Sequence, residues 1–109
     1  MNVKIFCENI CSLLLKEKYD YIDIDPYGSP APFINCVFKG LKRKGYVSFT
    51  ATDTATLCGI YRNACIRRYH AFPLRGQAMK EIGLRILIGY IARQATTFDY
   101  GFQPMLSYT

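Results

Sequence analysis

The fold is decided by residues 21–30, which read Tyr21-Ile22-Asp23-Ile24-Asp25-Pro26-Tyr27-Gly28-Ser29-Pro30. Aromatic and β-branched side chains stand beside acids over residues 19–24, a composition that predicts a buried strand. Proline prevents the strand from continuing past Asp25, and Gly28 permits a tight bend. The stretch therefore predicts that the Asp25 carboxylate and the Tyr27 ring are presented at the carboxyl end of a strand. In open α/β sheets, this edge binds ligands.

Outward from this strand, the chain alternates between strand patterns and helix patterns. The patterns predict, in order, a strand over 2–6, a helix over 10–18, the strand over 19–24, a helix over 32–44, a strand over 46–52, a loop and a short helix over 63–69, a helix over 77–95 and a final strand over 102–108. Such alternation implies an α/β fold, a mostly parallel sheet with right-handed crossovers and flanking helices. With 109 residues, the chain makes at most one small domain.

The helix predicted over 32–44 carries an apolar stripe and a basic end. Ser29 or a neighbour is predicted to cap its start, and Gly45 is predicted to follow its last turn. Four cations fall toward the end, where they suit the helix dipole. They are Lys39, Lys42, Arg43 and Lys44. Helix-end electrostatics and contact with nucleic acid explain this cluster about equally well.

The composition favours an intracellular protein with an anionic partner. Fourteen Lys and Arg against eight Asp and Glu give a net charge of +6, which suits nucleic acid, although many small domains are mildly basic. An odd number of irregularly spaced cysteines argues for a reducing compartment and buried, inert thiols, and His70 is the single histidine, so a zinc site is not expected. The cysteines are Cys7, Cys11, Cys36, Cys58 and Cys65.

The sequence shows no targeting or membrane-spanning pattern. Residues 1–15 lack a signal peptide, and the apolar helix pattern over 82–92 is too short and too polar to span a bilayer. We expect a soluble, cytoplasmic protein, with the nucleus or mitochondrion open for a eukaryotic source.

Five blocks of sequence, in order, carry a resemblance to a known family. They are DPYGSP at 25–30, TATDTA at 50–55, LCG at 57–59, PLRG at 73–76 and EIGLRIL at 81–87. Together they resemble the tRNA guanine-N2 methyltransferases that make N2,N2-dimethylguanosine at position 26 of tRNA. The likeness covers nearly the whole chain, and although one Asp-Pro-aromatic turn is a weak signal, five ordered blocks are specific.

The resemblance implies a Rossmann-like methyltransferase fold that uses S-adenosylmethionine. It implies that Asp25 and the Pro26 carbonyl accept hydrogen bonds from the guanine amine, while Tyr27 stacks on the base. An exocyclic amine is a poor nucleophile because its lone pair is delocalised, so acceptors aimed at its hydrogens orient it and stabilise the developing positive charge. A base outside its stack also needs a flat partner. Alone, the same turn is equally explained as an ordinary connection between strand and helix.

The resemblance also implies cofactor and RNA contacts. Asn9 stands where the family has an acid that binds adenosine, and it is predicted, with Asp25, to contact the cofactor; the alternative is a helix cap. Thr52 and Asp53 would line the same cleft, and Asp53 is equally explained as a cap. Four guanidinium groups would hold RNA phosphates, although one or two of them are expected to be surface charge. They belong to Arg62, Arg67, Arg68 and Arg75. His70 is interpreted as structural, and Glu81 with Arg85 as a helix salt bridge.

The family's Gly-rich cofactor turn is not among these blocks. We therefore expect residues 1–109 to form one partial catalytic domain that lacks the first strands of the fold. The missing strands would leave a gap and exposed apolar edges, and an amino-terminal half or a partner chain would supply the turn. The fragment would bind the cofactor weakly or not at all by itself, and it would be inactive alone. A non-catalytic, basic RNA-binding remnant is the alternative function, and a methyltransferase acting on DNA or protein amines is a third.

Overall fold

The computed structural model describes residues 2–109. The elements are α1 (Ile10–Leu14), β1 (Tyr19–Ile24), α2 (Ala31–Gly40), β2 (Leu41–Phe49), α3 (Thr54–Leu57), α4 (Arg62–Tyr69) and α5 (Met79–Thr96). β1 and β2 pair in parallel, and α2 forms the crossover between them. The predicted α/β class is confirmed, with a two-stranded parallel sheet and helices around it.

The core lies between the sheet and the helices α2 and α5. Ile22 and Ile24 alternate with exposed acids along β1, so every second side chain of this part of the strand enters the core. From α2, Ile34 and Val37 are fully buried, and Ile91 of α5 belongs to the same cluster. The predicted strand over 19–24 is confirmed, and its last residue brings Asp25 to the carboxyl edge of the sheet.

Two predicted strands are wrong. Residues 2–6 and 102–108 have no regular secondary structure. Ile5 and Leu106 are 92% and 84% exposed, so neither segment has found a partner strand or a core to cover its apolar side chains. A strand pattern is realised only where a neighbouring strand satisfies the backbone, and these segments have none among the described residues.

The end of the helix predicted over 32–44 is also wrong. α2 ends at Gly40, and β2 begins at the next residue, so three of the four clustered cations lie on a strand. The strand predicted over 46–52 thus begins five residues earlier and ends at Phe49. A Cβ on Gly40 would lie 2.8 Å from the Leu14 carbonyl oxygen, so the close packing of α1 against α2 requires glycine there. Interaction with a helix dipole therefore does not explain Lys42, Arg43 and Lys44, because these residues lie on β2.

A wide bulge follows at the start of β2. Tyr19 pairs with Leu41 and Tyr21 pairs with Tyr46, so residues 42–45 stand opposite Asp20 alone. A Cβ on Gly45 would lie 2.9 Å from the Asp20 carbonyl oxygen. Gly45 therefore permits the bulge instead of following a helix, as the sequence had predicted.

The remaining helices agree with the sequence more closely. α4 begins one residue before its prediction, and α5 runs over Met79–Thr96 against a predicted 77–95. The Glu81–Arg85 ion pair is confirmed at 3.1 Å. α3 was not predicted, because residues 54–57 fall in a segment interpreted as a loop. α1 spans only Ile10–Leu14 of the predicted 10–18.

The cysteines differ from expectation. Cys11 of α1 and Cys36 of α2 form a disulfide, so the prediction of free thiols is wrong for this pair. Of the free cysteines, Cys65 is buried as predicted, whereas Cys7 is exposed. Within residues 2–109, no helix has the length and apolar character needed to cross a membrane.

Candidate functional site

The turn 25–30 lies where β1 and β2 end side by side. Thr50 N donates to Ile24 O at 2.9 Å, which extends the pairing one step beyond the strands. The Asp25 side chain is exposed, and the Tyr27 ring is fully exposed. Gly28 has φ of 86°, a conformation that glycine adopts without strain, and a Cβ there would meet no atom within 4 Å. The turn thus presents a carboxylate and a ring to open space.

Thr52 holds the turn from the β2 side. Gly28 N donates to Thr52 Oγ1 at 2.7 Å, and Thr52 N donates to Gly28 O at 3.0 Å. This reciprocal pair places Thr52 at the edge that carries Asp25, as the sequence predicted from topology. The residue thereby fixes the backbone that separates Tyr27 from α2.

A buried phenol holds the turn from the other side. The Tyr69 side chain is fully buried, and its hydroxyl lies 2.7 Å from Ser29 Oγ and 2.8 Å from Asp53 Oδ2. Ser29 Oγ also accepts from Ala31 N at 3.1 Å, so the predicted capping oxygen is present one residue before the N-cap, Pro30. Burial raises the pKa of Tyr69 above its ordinary value of 10.0, so the phenol stays protonated and can donate.

The Asp53 carboxylate faces inward. Its side chain is 6% exposed. It accepts a hydrogen bond from Tyr69 Oη and pairs with Arg68 Nη1 at 3.3 Å. The alternative role as a side-chain cap of α3 is not observed, because its carboxylate makes no capping hydrogen bond. Asp53 therefore organises the interior behind the turn, and its covered carboxylate is poorly placed for the predicted contact with RNA.

Three of the four arginines predicted to bind phosphate lie on α4, Arg75 follows the helix in the chain, and all four are exposed. Arg62 lies over the Phe72 ring at 5.0 Å, and Arg75 Nη1 donates to Cys58 O at 3.2 Å. Arg68 is half exposed beside Asp53, and Arg67 precedes it in the last turn of α4. The last turn of α4 also contains Tyr69, so Arg67 and Arg68 are joined to the turn 25–30 through one side chain.

Asn9 lies at the start of α1. Its Oδ1 accepts from Cys11 N at 2.9 Å and from Ser12 N at 3.3 Å, so the alternative role as a helix cap is realised. The amide oxygen that would receive the adenine amine is already bonded to two backbone groups. A cofactor contact by Asn9 is still a prediction.

The sequence predicted the exposed residues of the turn but not the side chains that hold it in place. Tyr69 was not among the predicted site residues, because a tyrosine at the end of a basic helix has no motif of its own. The available signal was Asp53, directly after the predicted strand over 46–52, because a carboxylate there needs a buried donor when it is covered. Residues 2–109 contain no cluster of three or more His, Cys, Asp or Glu side chains that could hold a metal ion.

Comparisons with known proteins place these features in one family. The family model described as N2,N2-dimethylguanosine tRNA methyltransferase matches residues 5–109. The tRNA (guanine(26)-N(2))-dimethyltransferase of Thermococcus kodakarensis is 48% identical over 90 residues, covering 83% of this chain and 24% of the relative. The enzyme of the same name from Pyrobaculum arsenaticum is 44% identical over 110 residues, covering 99% of this chain and 31% of the relative.

A solved structure agrees with these matches. The complex of Trm1 from Pyrococcus horikoshii with S-adenosyl-L-methionine superimposes with a TM-score of 0.82 at 42% sequence identity. The superposition covers 84% of this chain and 25% of the Trm1 chain. The chain therefore spans about a quarter to a third of the length of these relatives, and its fold corresponds to part of a methyltransferase fold.

Proposed function

Because the chain belongs to the N2,N2-dimethylguanosine tRNA methyltransferase family, we propose that it forms the base-binding wall of an active site that methylates the exocyclic N2 of guanine 26 in tRNA. The observation that carries this proposal is the turn 25–30. It exposes a carboxylate and an aromatic ring while hydrogen bonds fix its backbone on both sides. A site for an extruded base needs this combination of open polar and flat groups on a rigid support.

In this proposal, each residue of the turn has its own role toward the guanine base. Asp25 and the Pro26 carbonyl accept hydrogen bonds from the two N–H groups of the guanine amine, which aims the nitrogen lone pair at the incoming methyl carbon. The Asp25 charge also stabilises the positive charge that develops on that nitrogen. Tyr27 stacks on the base. Since its ring is fully exposed and contacts no core, it is free to receive a purine.

S-adenosylmethionine, when bound, supplies an electrophilic methyl group on a sulfonium. The open space over Gly28, beside the exposed Asp25, fits one wall of such a site. Asp25 would face the amino acid portion or the methyl group, and Asn9 would contact the adenine only by giving up part of its capping role. The opposite wall, with the Gly-rich turn, would come from another segment of the polypeptide or from a partner chain.

The substrate contact extends from the turn toward α4. Arg62, Arg67 and Arg68 lie on α4, the last two next to Tyr69, and Arg75 follows the helix in the chain, so a phosphate backbone leaving the site would meet guanidinium groups. Thr52, also proposed to contact RNA, binds Gly28 of the turn. We propose that residues 1–109 act as one part of a catalytic domain with this basic surface beside its active edge.

The test is a reconstituted methyl transfer. The full 109-residue chain would be mixed with the amino-terminal part of the Thermococcus kodakarensis relative, unmodified tRNA and methyl-labelled S-adenosylmethionine. We expect label at guanine 26, located by mass spectrometry, and none on a transcript with adenine at that position. Asp25→Asn should lower transfer by at least about a hundredfold, as expected for a group that acts on the developing charge.

The controls separate this function from its alternatives. Asp20→Asn removes a carboxylate that pairs with Lys42 on an exposed surface, and should leave transfer unchanged. Binding of tRNA by Asp25→Asn should keep the affinity and salt dependence of the parent chain. If the reconstituted parent binds tRNA but transfers no methyl group, a non-catalytic RNA-binding role replaces the proposal. Transfer to DNA or protein amines in competition with tRNA would point to the third class.

A further inference from the structure

We infer that Tyr69 is a positioning residue for the proposed methyl transfer, because its hydroxyl joins the turn that carries Asp25 and Tyr27 to a buried carboxylate in the interior. The inference rests on the proposed function for its catalytic consequence. Its structural part stands on contacts among Tyr69, Ser29 and Asp53 alone.

The geometry forms a chain of contacts from the interior to the active edge. Asp53 is nearly covered and holds the Tyr69 hydroxyl with both oxygens, at 3.0 and 2.8 Å. Since this carboxylate has only acceptors, the phenol hydrogen is directed to it, and the Tyr69 oxygen is left to accept from Ser29 Oγ at 2.7 Å. Ser29 Oγ in turn accepts a hydrogen bond from Ala31 N, the first amide of α2.

The far end of Tyr69 is also fixed. Arg93 Nη2 of α5 donates to Tyr69 O at 2.8 Å, and the Tyr69 ring packs edge-on against the ring of Tyr90 at 5.7 Å. His70, in a left-handed conformation at φ 55°, ends α4 directly after Tyr69. These contacts fix Tyr69 relative to α4 and α5, so its hydroxyl couples the position of both helices to the turn.

Two links define where the turn stands. Thr52 binds Gly28 on one side, and Tyr69 binds Ser29 on the other. Asp25 and Tyr27 make no side-chain hydrogen bond among the described residues, so these two links, with the strand pairing before Asp25, set their direction. A catalytic geometry sensitive to displacements of about 1 Å would depend on them.

The first experiment measures the turn directly in the full 109-residue chain. Hydrogen exchange of the Gly28, Ala31 and Thr52 amides would be followed by NMR in the parent, Tyr69→Phe and Tyr90→Phe. Tyr69→Phe should raise the exchange rates of these amides about tenfold relative to those of the α5 amides, as expected for one lost hydrogen bond. Tyr90→Phe removes a hydroxyl that forms no hydrogen bond within residues 2–109, and should leave exchange at the turn unchanged.

The second experiment measures transfer in the reconstituted system. Tyr69→Phe should lower kcat about ten- to a hundredfold and leave the KM for tRNA within about twofold, because binding surfaces are kept while orientation is lost. Ser29→Ala should have a similar effect, and the double variant should be no worse than either single one. A merely structural phenol would give additive losses. Ser29→Ala alone, which removes the same hydrogen bond from the turn side, tests the link if Tyr69→Phe folds poorly.

The outcomes distinguish the two claims. If the parent transfers methyl groups and Tyr69→Phe does so equally well, or if exchange at the turn is unchanged, the positioning role is overturned and the proposed function stands. If the parent transfers nothing, the proposed function fails and the catalytic role of Tyr69 fails with it. Faster exchange together with a lower kcat supports the inference.

Discussion

Tyr69 illustrates how one buried hydroxyl can be required by the charge beside it. Asp53 is 6% exposed, and a carboxylate so covered is costly unless donors surround it. Arg68 approaches from solvent at 3.3 Å, whereas the phenol approaches from the interior at 2.8 Å. Removing the hydroxyl leaves the carboxylate with one partner that is itself half exposed, so we expect Tyr69→Phe to lower the free energy of unfolding by about 1–3 kcal/mol near neutral pH. Chemical denaturation of the two chains measures this difference.

The pH dependence of this contribution has a definite sign. Burial raises the pKa of Tyr69 above 10.0, the contact with Ser29 opposes the rise, and the bond to Asp53 reinforces it. The folded state therefore favours the neutral phenol, and its stabilising contribution is complete below the unfolded pKa and is lost as the pH rises through and above it. We expect the unfolding free energies of the parent and Tyr69→Phe to converge between about pH 10 and about pH 12. Parallel curves from chemical denaturation would contradict the burial effect.

At the residue scale, the sequence could predict that Asp25, Tyr27 and Thr52 lie at one edge of the sheet, because each stands in a motif or just after a predicted strand. It could not identify Tyr69 or the inward direction of Asp53, because both depend on which helix packs behind the turn. The separation between Ser29 and Tyr69 is forty residues, beyond any local pattern. The cofactor contact of Asn9 is still a prediction, because an asparagine that caps a helix and one that binds a ligand have the same sequence signature.

At the scale of elements, the start of β2 shows where periodicity misleads. Residues 41–44 continue the helical spacing of α2, and their charges suit a helix end, yet they belong to the strand that lies beside β1. Two glycines decide the outcome: Gly40 allows α2 to end against α1, and Gly45 allows four residues to stand opposite Asp20. The disulfide between Cys11 and Cys36 belongs to the same contact of α1 with α2, and no spacing rule indicates it.

Gly45→Ala tests this interpretation of the bulge. The added methyl would lie 2.7 Å from Leu41 Cδ1 and 2.9 Å from the Asp20 carbonyl oxygen, so the strand must shift against its neighbour. We expect a loss of about 1–3 kcal/mol in the free energy of unfolding, measured by urea denaturation. Gly101→Ala is the matched control, because a Cβ there meets no atom within 4 Å. Equal stability of the two variants would show that the bulge does not need glycine.

At the scale of the whole molecule, the described residues form an incomplete sheet with unpaired apolar segments. β1 pairs with β2 on one side, and no strand among residues 2–109 lies on its other side. Val3, Ile5 and Phe6 are exposed just before α1, and Met105 and Leu106 are exposed beyond α5. The sequence anticipated exposed apolar edges from the family resemblance. Their extent followed only from the structure, because it shows that neither terminal segment forms a strand.

This incompleteness governs how the chain should bind the cofactor. In the proposed function, the turn 25–30 at the carboxyl edge of the sheet is one wall of the cofactor site, and among residues 2–109 the free side of β1 has no strand that could carry a second wall. S-adenosylmethionine held on one side stays largely hydrated, so its binding should be weak, with a dissociation constant above about 1 mM by calorimetric titration of the 109-residue chain. If the opposing wall lies in an amino-terminal segment, as proposed, adding the amino-terminal part of the Thermococcus kodakarensis relative should strengthen binding by at least about a hundredfold. The mixture with Asp20→Asn is the matched control, since that carboxylate pairs with Lys42 outside the turn and its loss should leave cofactor affinity unchanged. Tight, stoichiometric binding by the chain alone would place a complete cofactor site within these residues and remove the reason for a second segment.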